Sequence, residues 1–123
     1  MPADYGGPMA DCLFCRIVAG EIPATIVKRS EDAVAFRDVD PRAPTHVLVI
    51  PTKHSAAVRD AKGPDDERLL GRLLRFAADV ATDLGLDAGG YRIVTNTGKD
   101  AGQSVDHLHF HILGGRKMTW PPG

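Results

Sequence analysis

Three histidines, His107, His109 and His111, alternate with apolar residues in the segment 107–113, HLHFHIL. Strict alternation has the period of a β-strand, which places the three imidazoles on one face. The leucine, phenylalanine and isoleucine on the other face can pack on a core. The chain has five histidines in all. Three imidazoles sharing one strand face indicate a site of chemistry rather than packing.

Two kinds of chemistry fit this face. Neighbouring histidines of a strand can bind one zinc ion, but the outer two lie about 13 Å apart at a rise of ~3.3 Å per residue, so all three cannot share it. Alternatively, a neutral imidazole attacks phosphorus well at neutral pH, and its neighbours can orient it or move protons. Exposed histidines without a function are a third interpretation. The strict alternation and the small, polar residues of the preceding loop argue against it.

That preceding loop, residues 96–104, has features of an anion-binding loop. Its glycines let backbone N–H groups approach an anion, and Gln103 and Ser104 carry further hydrogen-bond donors. An ordinary surface loop has a similar composition. Beside three histidines, the pattern favours phosphate binding.

The chain has two cysteines, Cys12 and Cys15, spaced as Cys-x-x-Cys. This spacing favours metal or redox chemistry over a structural disulfide. A tetrahedral zinc site needs two more ligands, for which His54 and His107 are the candidates. A thioredoxin-like role fits poorly, because no βαβ pattern surrounds the pair. A reduced pair that only packs with its apolar neighbours is the remaining alternative.

The other elements must position these groups. Five segments are predicted to be strands: 25–29, 33–38, 46–50, 91–96 and 107–113. The third is almost wholly apolar, so we expect it at the centre of the sheet, covered on both faces. Asp38 ends the second, where a carboxylate is usually a turn or cap acceptor and less often a ligand for the hydroxyls of a ribose.

Two helices are predicted. The short one has Asp11 as its N-cap, runs to about Ala19 and is ended by Gly20, with both cysteines on the same side. The long one begins at Pro64 with acids in its first turn and stops at Gly85. Its apolar stripe should lie across the sheet. The order β-β-β-α-β-β predicts an α+β fold with a largely antiparallel five-stranded sheet.

Length and composition limit the class of protein. A chain of 123 residues predicts one domain, residues 11–123, preceded by a mobile N-terminal tail, residues 1–10. With 43% hydrophobic and 25% charged residues it can bury one modest core. A net charge of -1 gives no indication of binding to nucleic acid or to an acidic membrane. No apolar run approaches the ~18 residues of a membrane span and no signal peptide is evident, so we expect a soluble cytoplasmic protein.

Taken together, these motifs resemble the histidine triad family, and within it the Hint branch of purine nucleoside phosphoramidases. Besides the triad, the resemblance includes APTHVLVIP at 43–51, GQSV at 102–105 and the tail 114–123. It covers residues 11 to 123. It implies the HIT-like fold, with one long helix and a short N-terminal helix on the sheet.

The resemblance implies roles for the site residues. His109 would attack the α-phosphorus and form a nucleotidyl-histidine intermediate. His111 and His46 would support and orient it, with His107 nearby. Ser104 would contact the leaving group. The reaction would be hydrolysis of the P–N bond of a purine nucleoside 5′-phosphoramidate, adenosine favoured, without a catalytic metal.

The resemblance also implies contacts to the nucleotide. The ribose hydroxyls would be held by Asp38. The phosphate would be held by Asn96, Gln103 and the backbone around Val105. The purine would lie in an apolar pocket formed by Phe14, Ile17, Phe36 and Val39.

Members of the family are homodimers with sheets joined across the interface, so Trp120 in the tail would approach the partner's site. A subset with Cys-x-x-Cys binds structural zinc, which here would use Cys12, Cys15, His54 and His107. His107 would then be structural rather than a proton carrier. Asp106 stands where the family usually has an aromatic residue. We expect it to point away from the imidazoles and to affect local packing or dimer contacts.

Three other functions remain open at this point. One is a zinc-dependent hydrolase in which two triad histidines hold a metal-bound water. Another is a dinucleoside polyphosphate hydrolase or phosphorylase of the same family, against which the tail ending at Gly123 argues. The last is a nucleotide-binding interaction protein, which would have no evident need for an intact triad.

Overall fold

The computed structural model describes residues 11–123, and the predicted N-terminal tail lies outside this range. The helices are α1, Leu13–Val18, and α2, Pro64–Asp83, with a short 3-10 turn at Val58–Asp60. The strands are β1, Ile26–Arg29; β2, Ala33–Arg37; β3, Thr45–Pro51; β4, Tyr91–Val94; and β5, Phe110–Gly114. They form one antiparallel sheet in the order β1-β2-β3-β5-β4. The predicted fold is confirmed.

Strand β3 lies at the centre of the sheet and is covered on both faces, as predicted. Val47 and Val49 are fully buried on the side of α2, whereas Leu48 and Ile50 face the cluster that includes α1. Strand β3 also pairs with β5, and in this pairing His46 stands opposite Leu113. This register brings His46 into the neighbourhood of the triad.

Helix α2 covers one face of the sheet and leaves the other face for the site. It begins with Pro64 and three acidic residues in its first turn, which suits the positive end of the helix dipole. Leu73, Ala77 and Val80 are fully buried against the sheet. Burial of a leucine or valine side chain contributes about 1.5–3 kcal/mol, so this stripe anchors the helix. Gly85, at φ +76°, follows the end of α2 as predicted.

Helix α1 begins differently from the prediction. Its N-cap is Cys12 and not Asp11, because the Sγ of Cys12 accepts a hydrogen bond from the backbone N–H of Cys15 at 3.4 Å. A helix of six residues is not stable in isolation, so it depends on tertiary contacts. Phe14 and Ile17 provide them by burial on the face of the sheet opposite α2.

Four predicted strands are longer than the observed ones, and the first of these, β1, begins at Ile26 rather than at residue 25. Strand β2 ends at Arg37, one residue before Asp38, and β4 ends at Val94. Strand β5 begins at Phe110 rather than at residue 107, because the backbone before it turns to donate from Leu108 N–H to the carbonyl of Ser55 at 2.6 Å. The predicted division into two faces still holds, since Leu108, Phe110 and Ile112 all lie in the core beneath α2.

Asp106 is exposed and lies in the bend before β5, so strand alternation does not set its direction. Within residues 11–123, neither helix combines the length and the apolar character needed to cross a membrane.

Candidate active site

A cavity of about 640 Å³ opens on the face of the sheet opposite α2. Its size and mainly apolar lining are typical of a site for a small organic ligand. All four residues predicted for the purine pocket line it: Phe14, Ile17, Phe36 and Val39. Asp38, Ser104 and Val105 also line it and add polar groups at one side.

The sequence reasoning missed part of this lining. Leu48 and the segment 22–25 also face the cavity. The segment follows α1 without regular structure, and its composition resembles that of any connecting loop. The burial of Leu48 was predicted from its apolar strand, but nothing local in the sequence shows that it faces a cavity.

Phe14 and Asp38 connect the cavity to the histidines. The ring of Phe14 meets the ring of His109 edge-on, with centroids 5.1 Å apart. The carboxylate of Asp38 lies 3.4 Å from Nε2 of His46. The cavity and the imidazoles therefore form one continuous site.

Hydrogen bonding fixes the protonation of His109. Its Nδ1 lies 2.7 Å from the backbone carbonyl oxygen of His107, which can only accept, so Nδ1 carries the proton and donates. In the neutral ring, Nε2 then keeps its lone pair. His109 is buried, with 3% of its surface exposed, and Nε2 is the nitrogen available for nucleophilic attack.

Hydrogen bonds that run through His46 place the proton of His111 on the other ring nitrogen, Nε2. The backbone N–H of Arg42 donates to Nδ1 of His46 at 3.0 Å, so His46 carries its proton on Nε2. That Nε2 donates to Nδ1 of His111 at 2.8 Å. In the neutral ring, Nε2 of His111 therefore carries a proton. The rings of His109 and His111 lie 5.1 Å apart, one with a free Nε2 lone pair and the other with an Nε2 hydrogen.

The loop before the triad is braced by Gln103. Its Oε1 accepts from the N–H of Gly98 at 2.9 Å, and its Nε2 donates to the carbonyls of Ala56 and Val105 at 2.6 and 3.1 Å. Both amide hydrogens are thus engaged within the protein. Through these contacts Gln103 shapes the loop that carries Ser104, and its predicted contact with phosphate stays a prediction.

Two further predicted residues lie outside the lining of the cavity. Asn96 is half-buried and follows β4 by two residues. Trp120 is 82% exposed and stands over the guanidinium of Arg92 on β4, 5.9 Å from the centre of its ring. The chain alone therefore does not bring Trp120 to its own cavity.

Four side chains predicted to bind zinc meet beside α1. The ligand atoms of Cys12, Cys15, His54 and His107 all lie within 4.8 Å of one another. The sulfur–nitrogen distances from Cys12 to His107 and from Cys15 to both histidines are 3.2 to 3.4 Å, and the two Nδ1 atoms are 3.2 Å apart. A tetrahedral zinc with bonds of about 2.3 Å to sulfur and about 2.05 Å to nitrogen separates sulfur from nitrogen by about 3.6 Å and the two nitrogens by about 3.3 Å. The separations of the four ligand atoms therefore fit a zinc ion.

Protonation within this cluster also fits a metal site. Nε2 of His107 donates to the carbonyl of Pro51 at 3.0 Å, which directs the Nδ1 lone pair into the cluster. Burial lowers the pKa of His107 to about 4, so the ring is neutral at pH 7. Burial raises the pKa of the Cys15 thiol to about 12, and its bond to Cys12 adds to the rise. Such a thiol is a poor redox nucleophile, and it gives up its proton on binding a metal.

A second group of possible ligands is formed by Asp38, His46 and His111. The 2.8 Å between the two ring nitrogens is a hydrogen-bond distance, shorter than the ~3.3 Å separation of two nitrogens on a tetrahedral zinc. These three side chains fit a shared proton better than a metal.

Comparison with known proteins identifies the family. The family model described as HIT domain matches residues 19–118. The chain belongs to the HIT domain family. It is 50% identical to an uncharacterized HIT-like protein of Synechocystis sp. over 113 residues, which are 92% of this chain and 97% of that protein.

Solved structures of the family have the same fold. A HIT family hydrolase from Legionella pneumophila is 51% identical, with a TM-score of 0.88 over 92% of this chain and 100% of that chain. A histidine triad protein from Clostridium difficile is 39% identical, with a TM-score of 0.84 over 89% of this chain and 94% of that chain.

Two imidazoles of this HIT protein, His46 and His111, are kept neutral by their surroundings. Burial lowers the pKa of His111 to about 4, and the neighbouring His109 and His46 lower it as well. Burial also lowers the pKa of His46, against the opposing charge of Asp38. At neutral pH both rings are uncharged, which the hydrogen-bond chain between them requires.

We expect the free energy of unfolding to fall as the pH drops from about 6.5 to about 4. In this window the unfolded chain binds a proton at His111 that the folded chain excludes, so stability is complete above the window and is lost towards its lower end. The loss from His111 should be on the order of 2 kcal/mol. Urea unfolding at pH 7, 6 and 5 measures it, and His111→Gln should have a flatter pH dependence. Equal slopes for the two proteins would contradict this assignment.

Proposed function

We propose that this HIT protein hydrolyses the P–N bond of purine nucleoside 5′-phosphoramidates, with adenosine favoured, through a covalent nucleotidyl-histidine. The complementary protonation of His109 and His111 beside an apolar cavity carries the proposal. A lone pair is available for attack on phosphorus, and an N–H is available for a phosphoryl oxygen. The similarity to the Legionella protein described as a HIT family hydrolase supports a hydrolytic reaction.

In the proposed first step, the Nε2 lone pair of His109 forms a bond to the α-phosphorus while the P–N bond breaks. The leaving nitrogen takes a proton from solvent and departs as the amine, and Ser104, which lines the cavity, contacts it. The positive charge that develops on the ring of His109 is stabilised by the carbonyl of His107, 2.7 Å from Nδ1. The N–H of His111 donates to the charged phosphoryl oxygens.

In the second step, water attacks phosphorus and the bond to Nε2 of His109 breaks. The water oxygen stays on the nucleoside monophosphate with one hydrogen, and the other hydrogen returns to solvent as the proton that replaces the one taken by the amine. His109 regains its lone pair for the next cycle. Loop N–H groups around Val105 hold the phosphate, with Asn96 nearby, while Gln103 keeps the loop in place.

The nucleoside is proposed to lie in the cavity, with the purine among the apolar side chains and the ribose at Asp38. Asp38→Ala should therefore remove the preference for ribonucleotides over 2′-deoxyribonucleotides. We expect a preference of roughly tenfold or more in the parent, because hydrogen bonds to a charged group contribute about 1.5–3 kcal/mol. Dissociation constants for both nucleoside monophosphates measure this ratio.

Asp66→Ala is a matched control for this prediction. Asp66 lies on α2 and forms an ion pair with Lys53. Its replacement removes the same charge and should leave the preference for ribonucleotides unchanged. A ratio retained in Asp38→Ala would show that the ribose is recognised elsewhere.

The Cys12, Cys15, His54 and His107 cluster is proposed to hold a structural zinc ion. These four residues come from α1, the segment after β3 and the segment before β5, so a bound ion would join the three segments. All four positions of a tetrahedron are then filled by the protein, so the site has no open position for substrate. This arrangement favours a structural role over the alternative of a zinc-dependent hydrolase.

A homodimer with sheets joined edge to edge is proposed as the assembly. Strand β4 is an edge strand of the sheet, and Trp120 stands exposed beside it. An unpaired edge strand is a ready surface for pairing with a second copy. Trp120 would then be placed to reach the partner's cavity. We propose the cytoplasm as the location, where two free cysteines remain reduced.

A substrate panel tests the proposed activity. The parent protein is mixed with adenosine 5′-phosphoramidate, its guanosine counterpart and a diadenosine polyphosphate, and release of nucleoside monophosphate is followed. Faster turnover of the phosphoramidates supports the proposal. Faster turnover of the dinucleotide would assign the protein to the polyphosphate hydrolases of the family. Tight binding of nucleotide with no turnover would leave a nucleotide-binding protein.

A further inference from the structure

Arg116, which follows β5, is bonded to the loop between β2 and β3. Its Nε and Nη2 donate to the backbone carbonyl of Arg42 at 3.3 and 3.1 Å, and its Nη1 donates to the carbonyl of Lys117 at 3.3 Å. Gly115 packs on the same loop, since a Cβ there would lie 2.9 Å from the Cβ of Pro44. The turn after β5 therefore holds this loop at two adjacent points.

The same loop sets the protonation of His46. Residues 41 and 44 are prolines without an N–H, and the N–H of Arg42 between them donates to Nδ1 of His46 at 3.0 Å. Arg42 is thus held at both ends, its N–H by His46 and its carbonyl by Arg116. The orientation of this residue decides which nitrogen of His46 accepts, and through the 2.8 Å bond it decides the same for His111.

We infer that Arg116 is a positioning residue for the pair His46 and His111: by holding the carbonyl of Arg42, it aligns the N–H that selects the tautomers of both rings. A guanidinium suits this task because it presents two N–H groups to one oxygen in a fixed plane, whereas a lysine offers a single flexible charge. The effect on reaction rate rests on the proposed function. The effect on the tautomers depends only on the fold.

Loss of Arg116 frees the carbonyl of Arg42, although Gly115 still packs on Pro44, and makes the second tautomer of His46 accessible. In that tautomer Nδ1 carries the proton, so Nε2 can no longer donate to His111. The carboxylate of Asp38, 3.4 Å from Nε2 of His46, still favours the original tautomer. The expected result is therefore a mixture of tautomers. His109 is held separately by the carbonyl of His107 and should not change.

Long-range proton–nitrogen NMR of the histidine rings at neutral pH reads these tautomers directly. In the parent we expect the proton on Nε2 of His46 and His111 and on Nδ1 of His109. In Arg116→Ala the ring nitrogens of His46 and His111 should shift towards the average of the two tautomers, with those of His109 unchanged. Arg116→Lys should give an intermediate shift. Arg75→Ala, which removes the same charge from the exposed surface of α2, should match the parent.

Kinetics with adenosine 5′-phosphoramidate supplies the second readout. The kcat of Arg116→Ala should fall roughly three- to tenfold, as expected for one or two exposed hydrogen bonds, with KM changed by less than about twofold. Parent-like tautomers in Arg116→Ala, or equal shifts in Arg75→Ala, would overturn the inference. Shifted tautomers in a protein that turns over no phosphoramidate would leave the inference standing and refute the proposed function. If Arg116→Ala does not fold, Arg116→Lys should show the same change in the ring-nitrogen shifts of His46 and His111, but a smaller one.

Discussion

His109→Ala should reduce turnover of adenosine 5′-phosphoramidate at least about a thousandfold, because the nucleophile of a covalent mechanism has no substitute nearby. His111 cannot replace it, since its Nε2 carries a hydrogen and its Nδ1 is occupied by His46. Nucleotide affinity should change little, because the cavity is lined by other side chains. Turnover is measured by release of adenosine monophosphate, and affinity by titration with the same nucleotide.

The covalent intermediate gives this prediction a direct test. Rapid acid-free quenching of the parent during turnover, followed by mass spectrometry, should show protein carrying one nucleotidyl group on the peptide that contains His109. His109→Ala should show none. His111→Ala, which keeps the nucleophile and removes the supporting N–H, should still form the adduct, but more slowly. Activity of His109→Ala equal to the parent, with no adduct in either, would refute the nucleophile assignment.

Cys15→Ala should abolish zinc binding and lower the free energy of unfolding by about 3–5 kcal/mol, the contribution of a tightly bound ion at concentrations far above its Kd. The parent should contain one equivalent of zinc per chain. Elemental analysis of the purified proteins and urea unfolding in the presence of zinc measure the two effects.

Nucleotide affinity should also fall in Cys15→Ala, since Phe14 lies between the two cysteines and lines the cavity. A chelator provides the control. It should destabilise the parent to the level of Cys15→Ala and have no effect on the variant. A parent protein that remains metal-free after purification with added zinc, and that is indifferent to the chelator, would show that the four side chains only pack together.

The sequence predicted the sheet, both helices and the face on which the imidazoles lie. These features depend on local patterns. Alternation at 107–113 sets which side chains point towards α2, and the apolar run at 46–50 places its strand at the centre of the sheet. The predicted ends of the strands were less accurate. Strand β5 starts at Phe110 because Leu108 bonds to Ser55, a partner more than fifty residues away that no local pattern reveals.

The cluster of cysteines and histidines was predicted in part from a local pattern and depends in part on distant contacts. The spacing of Cys12 and Cys15 indicated a metal site from the sequence alone. Their distance from His107 is more than ninety positions along the chain, so only the fold shows that the four ligand atoms meet at separations suited to zinc. The resemblance to a family had supplied the same set without the geometry.

The protonation of the site was decided by the tertiary structure alone. His109 and His111 carry their protons on opposite nitrogens because each ring meets a different backbone or side-chain partner. His109 is set by a carbonyl two residues away, whereas His111 is set by His46 from another strand and, through it, by Arg42. A tautomer depends on the direction of a hydrogen bond, and for His111 that direction exists only once distant segments are packed together. The sequence by itself determined which imidazoles share a face, and the fold decided which nitrogen of each could react.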